Sequence, residues 1–322
     1  MTVSRFLHSR PCLPRLFFGT TITRNGRLLS TGFNKIDEQL KTDEAGTFDT
    51  KRPPTGKLLV LGGNGFVGSH ICREALEQGL TVSSLSRSGR PSLHDSWLND
   101  VLWHKGDLLS PGSLKQAMSE ATSVVKTKDS SVYYSANVEK IFLSSDFNEI
   151  SCVGAFGSNP YMYRINGTAN VNAIRAAVEQ RVKRFVYVSA ADFGLLYYLL
   201  RGYYEGKRVT EAELTDKFPN GGMSPILELT FAGIILRPGF IHGTRQVGNM
   251  KFPLSAIGAP LQMVLQHAKF LTRIPLIGPL FIPPVKVTSV AKVAVRAAID
   301  PLFPSGIVDV YGILQHSQQK SA

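Results

Sequence analysis

The chain has 322 residues, 43% of them hydrophobic and 19% charged, with 36 Lys and Arg against 24 Asp and Glu for a net charge of +12. This balance excludes a disordered polar chain and a fibrous repeat, and the length fits one large α/β domain or two smaller ones. No stretch of 18 uncharged apolar residues exists, so no transmembrane helix is expected. Cys12, Cys72 and Cys152 have neither metal-ligand spacing nor the pattern of a disulfide framework, and the seven histidines are scattered, so no metal site is expected.

The positive charge has a local source. Residues 1–36 hold Arg5, Arg10, Arg15, Arg24, Arg27 and Lys35, no Asp or Glu, and the apolar clusters Phe6-Leu7 and Leu16-Phe17-Phe18. Arg-rich, hydroxyl-rich and acid-poor is the composition of an organelle transit peptide, and no apolar run is long enough for a secretory signal. Arg27-Leu28-Leu29-Ser30 is similar to a mitochondrial processing site, which makes 1–29 the expected transit peptide. The mitochondrion is the favoured address, in the matrix or peripheral to the inner membrane, with the plastid as the alternative; a disordered basic tail is the plainer reading. Removing 1–29 takes five Arg and lowers the charge from +12 to +7. With no basic-aromatic pattern elsewhere, no nucleic-acid partner is expected. Residues 30–56 are a linker, polar and acidic in its later part, with Pro53 and Pro54 near its end.

From Lys57 strands alternate with helices. The pattern predicts strand 1 at Lys57–Leu61, a helix at about Phe66–Gln78, strand 2 at Thr81–Leu85, strand 3 at Val101–His104 and a helix from about Pro111. Strand 4 is anomalous. Ala121-Thr122-Ser123-Val124 reads as its first half and Ile150-Ser151-Cys152-Val153-Gly154 as its second half with the following loop. Val125–Glu149 lies between them with no clear period. Joined directly, the flanks make one ordinary buried strand, so 125–149 is expected to be a surface insertion or a translated retained intron. A long helix over about Tyr161–Gln180, strand 5 at Arg184–Val188, a helix near Tyr203, strand 6 at Ala232–Leu236 and a helix over Val287–Asp300 complete the reading. The alternation predicts an α/β fold with a doubly wound parallel sheet over 57–242, followed by a small C-terminal substrate-side or interaction region at 243–322.

The glycine-rich turn Gly62-Gly63-Asn64-Gly65-Phe66-Val67-Gly68 sits between strand 1 and an amphipathic helix. That context makes a phosphate-binding site from unpaired N–H groups and the positive helix end. Gly62 permits the tight turn, Gly65 the approach of backbone to phosphate, and Gly68 close helix-strand packing. A glycine turn that merely packs a βα unit is the plainer alternative.

Three later segments join it: Arg164-Ile165-Asn166-Gly167-Thr168-Ala169-Asn170, Arg184 to Gly194 with Ser189-Ala190-Ala191-Asp192, and Leu236-Arg237-Pro238-Gly239-Phe240-Ile241-His242-Gly243. Together these resemble the extended and atypical short-chain dehydrogenase/reductase superfamily of Rossmann-fold proteins. The finer resemblance is to the branch near the nucleotide-binding accessory subunit of respiratory complex I. Within it lie plant organellar Rossmann proteins and the fungal reductase-like protein of coenzyme Q biosynthesis. The resemblance implies a catalytic Ser189 after strand 5 and a Tyr203-x-x-x-Lys207 pair on the next helix. Four-residue spacing puts Tyr203 and Lys207 on one face, where a neighbouring ammonium is expected to lower the phenol's pKa.

The resemblance also implies cofactor contacts at Asp107 and Leu108 after strand 3, at Cys152, Val153 and Gly154 after strand 4, and at Pro238 and Gly239. Strand 2 ends in Ser86-Arg87-Ser88, not in the Asp or Glu of an NAD site, so Arg87 favours NADP(H), with NAD(H) as the alternative. Phe252–Val285 is apolar and rich in Pro and Gly, suited to a lipophilic small-molecule substrate of the prenylated-quinone class or to plain packing. Two functions are open: a reductase or dehydrogenase of mitochondrial quinone metabolism, or a non-catalytic nucleotide-binding factor of a mitochondrial membrane-associated complex.

Overall fold

A computed structural model of the chain describes residues 56–92, 95–123, 147–194, 196–219, 231–247, 250–274 and 277–319. The expected transit peptide, nearly all of the linker and most of 125–149 lie outside the described residues.

The first half holds β1 (Lys57–Leu61), α1 (Phe66–Glu77), β2 (Thr81–Ser86), β3 (Val101–Lys105), α2 (Pro111–Ser123), β4 (Phe147–Ser151), α3 (Asn159–Tyr163), a π-helical turn (Arg164–Thr168) and α4 (Ala169–Glu179). There follow β5 (Arg184–Val188), α5 (Leu196–Leu199), α6 (Arg201–Lys217), β6 (Ala232–Leu236), β7 (Ile241–His242), β8 (Thr244–Val247), β9 (Met250–Pro253), α7 (Ser255–Leu265), β10 (Val285–Lys286), α8 (Val287–Ile299), β11 (Gly306–Val308) and α9 (Val310–Gln318). Seven strands form one parallel sheet in the order β11-β6-β5-β4-β1-β2-β3. Two small pairs, β7 with β10 and β8 with β9, lie outside it.

Parallel strands covered on both faces must be apolar throughout, and β5 and β6 are buried at every position. One core cluster joins Leu58, Val60, Ile150 and Val186 of the sheet to Ile71 of α1 and to Val290, Val293 and Ala294 of α8. The other joins Leu59, Leu61, Phe185 and Tyr187 to Leu114 of α2, Ala173 and Ile174 of α4 and Leu214 of α6. The result is a three-layer α/β doubly wound fold, with β1, β5 and β6 where the sequence puts them. β11 extends the sheet beyond the six strands read from the sequence, and α9 follows it.

Strand 4 corrects the sequence reading. Ala121, Thr122 and Ser123 end α2, and the first half of β4 is Phe147-Asn148-Glu149. These three residues take the place assigned to the 121–124 segment, and the cost is visible. Glu149 pairs in register with Leu59 of β1 and Phe185 of β5, and it is fully buried. With side chains alternating along the strand, it shares the face of Phe147, inside the second cluster. Neither carboxyl oxygen has a hydrogen-bond partner, and burial raises its pKa well above the carboxylate range.

Candidate functional site

The strand order reverses between β1 and β4, so the loops after these two strands diverge and open a crevice at the carboxyl edge of the sheet. A cleft of about 520 Å³ lies there, lined by Gly62, Asn64, Gly65, Leu85, Ser86, Arg87, Ser88, Gly106, Asp107, Leu108, Cys152, Val153, Gly154, Ile165 and Ala169. Nine of the residues singled out from the sequence as cofactor contacts meet on this one surface.

The glycines act as their positions demand. Gly62 has φ +86°, the left-handed region that favours glycine. A Cβ on Gly68 would lie 2.2 Å from the Gly62 carbonyl oxygen, and one on Gly63 2.2 Å from Ser84 Oγ. Gly63 and Gly68 therefore pack the turn rather than line the cleft. Phe66 and Val67 open α1, and Phe66 faces a neighbouring cavity with His70, Arg73 and Trp97. Asn64 Nδ2 donates to Ser88 Oγ at 2.7 Å, tying the turn to the loop after β2. A cleft with the glycine turn and the start of α1 at one end and apolar walls at Leu108 and Ile165 suits a dinucleotide, which needs anion binding and an apolar slot together.

Arg87 lines the cleft and donates to Tyr161 Oη at 3.4 Å. Asp107 has a local task as well: its Oδ1 accepts from Leu109 N at 3.0 Å, while its own N–H donates to Ser113 Oγ at 3.0 Å. Cys152 Sγ donates to the Leu61 carbonyl at 3.0 Å. Burial pushes its thiol up to about 12 against the opposing pull of Lys207, so it is a packed, unreactive group. Pro238 and Gly239 stand apart from the cleft lining. Both are buried; the Pro238 carbonyl accepts from Ala191 N, and a Cβ on Gly239 would meet the Pro283 carbonyl at 2.4 Å.

Two asparagines shape the loop after β4, and the sequence reading assigned them no role. Asn166 Nδ2 donates to the carbonyls of Ala155 and Met162, each at 2.8 Å. Asn170 Nδ2 donates to Val153, Ile165 and Asn166 carbonyls at 3.3, 3.0 and 3.1 Å, while its Oδ1 accepts from Ser151 Oγ at 2.6 Å. Both are fully buried. They hold the Val153–Ala155 backbone against the helix, and the π-helical turn widens the coil around them. The Asn166 carbonyl also accepts from Tyr187 Oη at 3.1 Å and Thr210 Oγ1 at 2.9 Å. The signal was present: two Asn four apart, inside a helix that Asn does not favour, following a strand.

On α6, Tyr203 and Lys207 lie one turn apart. Lys207 is buried, donates to the Val188 carbonyl at 2.9 Å and reaches the Val153 carbonyl at 3.5 Å. Its ammonium is 5.7 Å from the Tyr203 ring and 4.7 Å from the Tyr187 ring. Burial lowers its pKa to about 8, opposed by Cys152 and Glu211. Tyr203 stacks on Phe156 with ring centroids 4.9 Å apart. The expected lowering of its pKa does not occur. Burial first, then Tyr204, pushes the phenol up to about 12, and only Arg208 pulls the other way.

Ser189 is turned to another partner. Its hydroxyl donates to Glu211 Oε1 at 2.5 Å. Glu211 is buried and also holds Arg208 and Arg237, the latter through Nε to Oε1 at 3.0 Å. The serine's one hydrogen is therefore spent on the buried carboxylate of a partly exposed ion cluster absent from the sequence reading. Glu211 follows Lys207 by one helical turn, the only sequence trace of this arrangement. Among the described residues, no group of three or more His, Cys, Asp or Glu converges as a metal site, and no helix is long and apolar enough to cross a membrane.

The switch-point cleft, the glycine turn and the seven-stranded sheet define an NAD(P)-binding Rossmann protein of the short-chain dehydrogenase/reductase type. Residues 62–241, more than half of the chain, match the family described as NAD(P)H-binding, and the chain belongs to that family. It is 36% identical over 271 residues to an uncharacterized chloroplastic protein of Arabidopsis thaliana, covering 83% of this chain and 77% of that one. It is 28% identical over 288 residues to MIOREX complex component 2 of Saccharomyces cerevisiae, covering 80% of this chain and 99% of that one. Among solved structures, the Bordetella bronchiseptica enzyme WbmH in complex with NAD+ aligns over 79% of this chain and 75% of its own, at 16% identity and a TM-score of 0.49.

Proposed function

We propose that the protein is an NADP(H)-preferring oxidoreductase that reduces a lipophilic carbonyl substrate. The observation that carries this reading is the placement of Lys207. Its ammonium is buried against the carbonyl of Val153, a cleft-lining residue, with Tyr203 one turn away on the same helix face. In this reading the cofactor supplies the hydride. Lys207 holds the nicotinamide ribose, Tyr203 exchanges a proton with the substrate oxygen, and Arg87 holds the 2′-phosphate. Burial above all pushes the phenol up to about 12, so in this reading bound cofactor and substrate must bring it closer to neutrality for proton transfer. For the lipophilic substrate, the resemblance noted in the sequence points to a prenylated quinone or its precursor. The acid-free N-terminus and the chloroplastic name of the Arabidopsis relative support an organellar address, for which we favour the mitochondrion.

A second reading, a nucleotide-binding factor of a membrane-associated complex that performs no turnover, is favoured by one observation: the Ser189 hydroxyl is committed to Glu211. The test is NADPH oxidation with a panel of quinones and prenylated carbonyl compounds, alongside nucleotide binding by fluorescence. Tyr203→Phe should lower turnover by roughly 10²–10⁴-fold with nucleotide affinity unchanged. Binding without turnover across the panel, together with an intact complex in Tyr203→Phe cells, assigns the protein to the second reading.

A further inference from the structure

The C-terminal third carries a face that neither the cleft nor the core uses. α7 is fixed to the body along one edge. A Cβ on Gly258 would lie 2.3 Å from His242 Cβ, Gln262 Oε1 meets His242 Nε2 at 2.7 Å, and Leu265 is buried. Positions 258, 262 and 265 form a single stripe, so the rest of the helix faces outward. The seven exposed positions of α7 hold only Ala, Ile, Pro, Leu, Met and Val, with Ile257 77%, Met263 72% and Val264 66% exposed. Phe270, 68% exposed, and Leu280, 55% exposed, extend the exposed apolar surface along the chain. A surface helix whose exposed positions are all apolar marks an interaction site.

Charge decides what covers it. From Phe231 to Ile299 the chain holds no Asp or Glu. The exposed side chains of Lys269 and Arg273 lie just beyond α7, with the Lys269 ammonium 4.7 Å over the Tyr311 ring. A protein partner's footprint carries a polar rim with directional hydrogen-bonding groups. Here the exposed positions of α7 carry no polar side chain; Gln266 and His267 follow it, and the two charges beside them, Lys269 and Arg273, are both positive. The helix is about 16 Å long at 1.5 Å per residue, far short of the roughly 20 residues that cross a bilayer. An apolar helix face with basic residues beside it fits one environment, the boundary between headgroups and acyl chains of an anionic membrane.

We propose that α7, with Lys269, Phe270 and Arg273 just beyond it, docks the protein on the surface of an anionic lipid bilayer. This goes beyond the reductase reading and stands without it, because vesicle binding and turnover are measured separately. The test is flotation of the full chain with phosphatidylcholine vesicles with and without phosphatidylglycerol. The protein should float with the anionic vesicles, and added salt should weaken the association. Leu261→Glu with Val264→Glu should abolish it, and Lys269→Gln with Arg273→Gln should lower the partition coefficient on the order of thirtyfold. Unchanged nucleotide binding in both variants shows that they fold. Absence of flotation, or equal flotation of the Leu261→Glu/Val264→Glu variant, overturns the proposal. So does a dimer in solution that dissociates in that variant while the wild type ignores vesicles, which assigns the face to a second copy.

Discussion

Glu149 should make this protein's stability fall as pH rises, and replacing it should remove the fall. The side chain is fully buried between Leu59 and Phe185 with no partner on either oxygen, and its pKa is raised well above the ordinary value. In the unfolded chain the group ionises near its ordinary pKa; in the fold it keeps its proton. Between the two pKa values the native state binds one more proton than the unfolded state, so stability is full below the unfolded pKa and declines as pH rises. Between the two pKa values the decline approaches about 1.4 kcal/mol per pH unit. The neutral carboxyl has a further penalty of about 1–3 kcal/mol for its missing hydrogen bonds. Glu149→Gln should remove the pH-dependent part and keep the second penalty. Glu149→Val should remove both, and so exceed wild type in stability at pH 7.5 by more than Glu149→Gln does. Urea unfolding of the three proteins at pH 5.5 and 7.5 measures this. If the stability gap between wild type and Glu149→Gln is the same at both pH values, the carboxyl is not held neutral in the fold and the reasoning fails.

Deleting 125–149 joins Val124 to Ile150 and puts valine at the register position of Glu149. The shortened chain should fold with a higher melting temperature than the full one, and an unfolded product would refute the equivalence of the two strand halves. Arg87→Ala should weaken NADP(H) binding roughly tenfold to a hundredfold through loss of a charge-assisted contact, leaving NAD(H) affinity nearly unchanged; titration calorimetry with both cofactors reads the difference. Gly68→Ala places a Cβ 2.2 Å from the Gly62 carbonyl. It should destabilise the fold by about 1–3 kcal/mol and abolish nucleotide binding, checked by thermal unfolding and fluorescence titration.

The sequence by itself determined the layers and the nucleotide cleft. Strand-length apolar runs at 57–61, 184–188 and 232–236 and glycines at 62, 65 and 68 are local signals, each fixed by backbone geometry or by burial on both faces of a sheet. Tyr203 and Lys207 were legible for the same reason, since four residues of helix put them on one side. What the sequence could not supply depends on groups far apart in the chain. The commitment of Ser189 to Glu211, 22 residues later, follows from the packing of α6 on the end of β5. The clamp of Asn166 and Asn170 on the loop after β4 needs the π-helical turn to bring their amides to those carbonyls. The raised pKa of Tyr203 reverses a prediction made from Lys207 alone, because desolvation in the folded state dominates and the only opposing charge is Arg208. Glu149 shows the same divide most sharply. In the sequence it is an acidic residue of an irregular stretch, and only the pairing of β4 between β1 and β5 turns it into a buried, unpartnered carboxyl at the centre of the sheet.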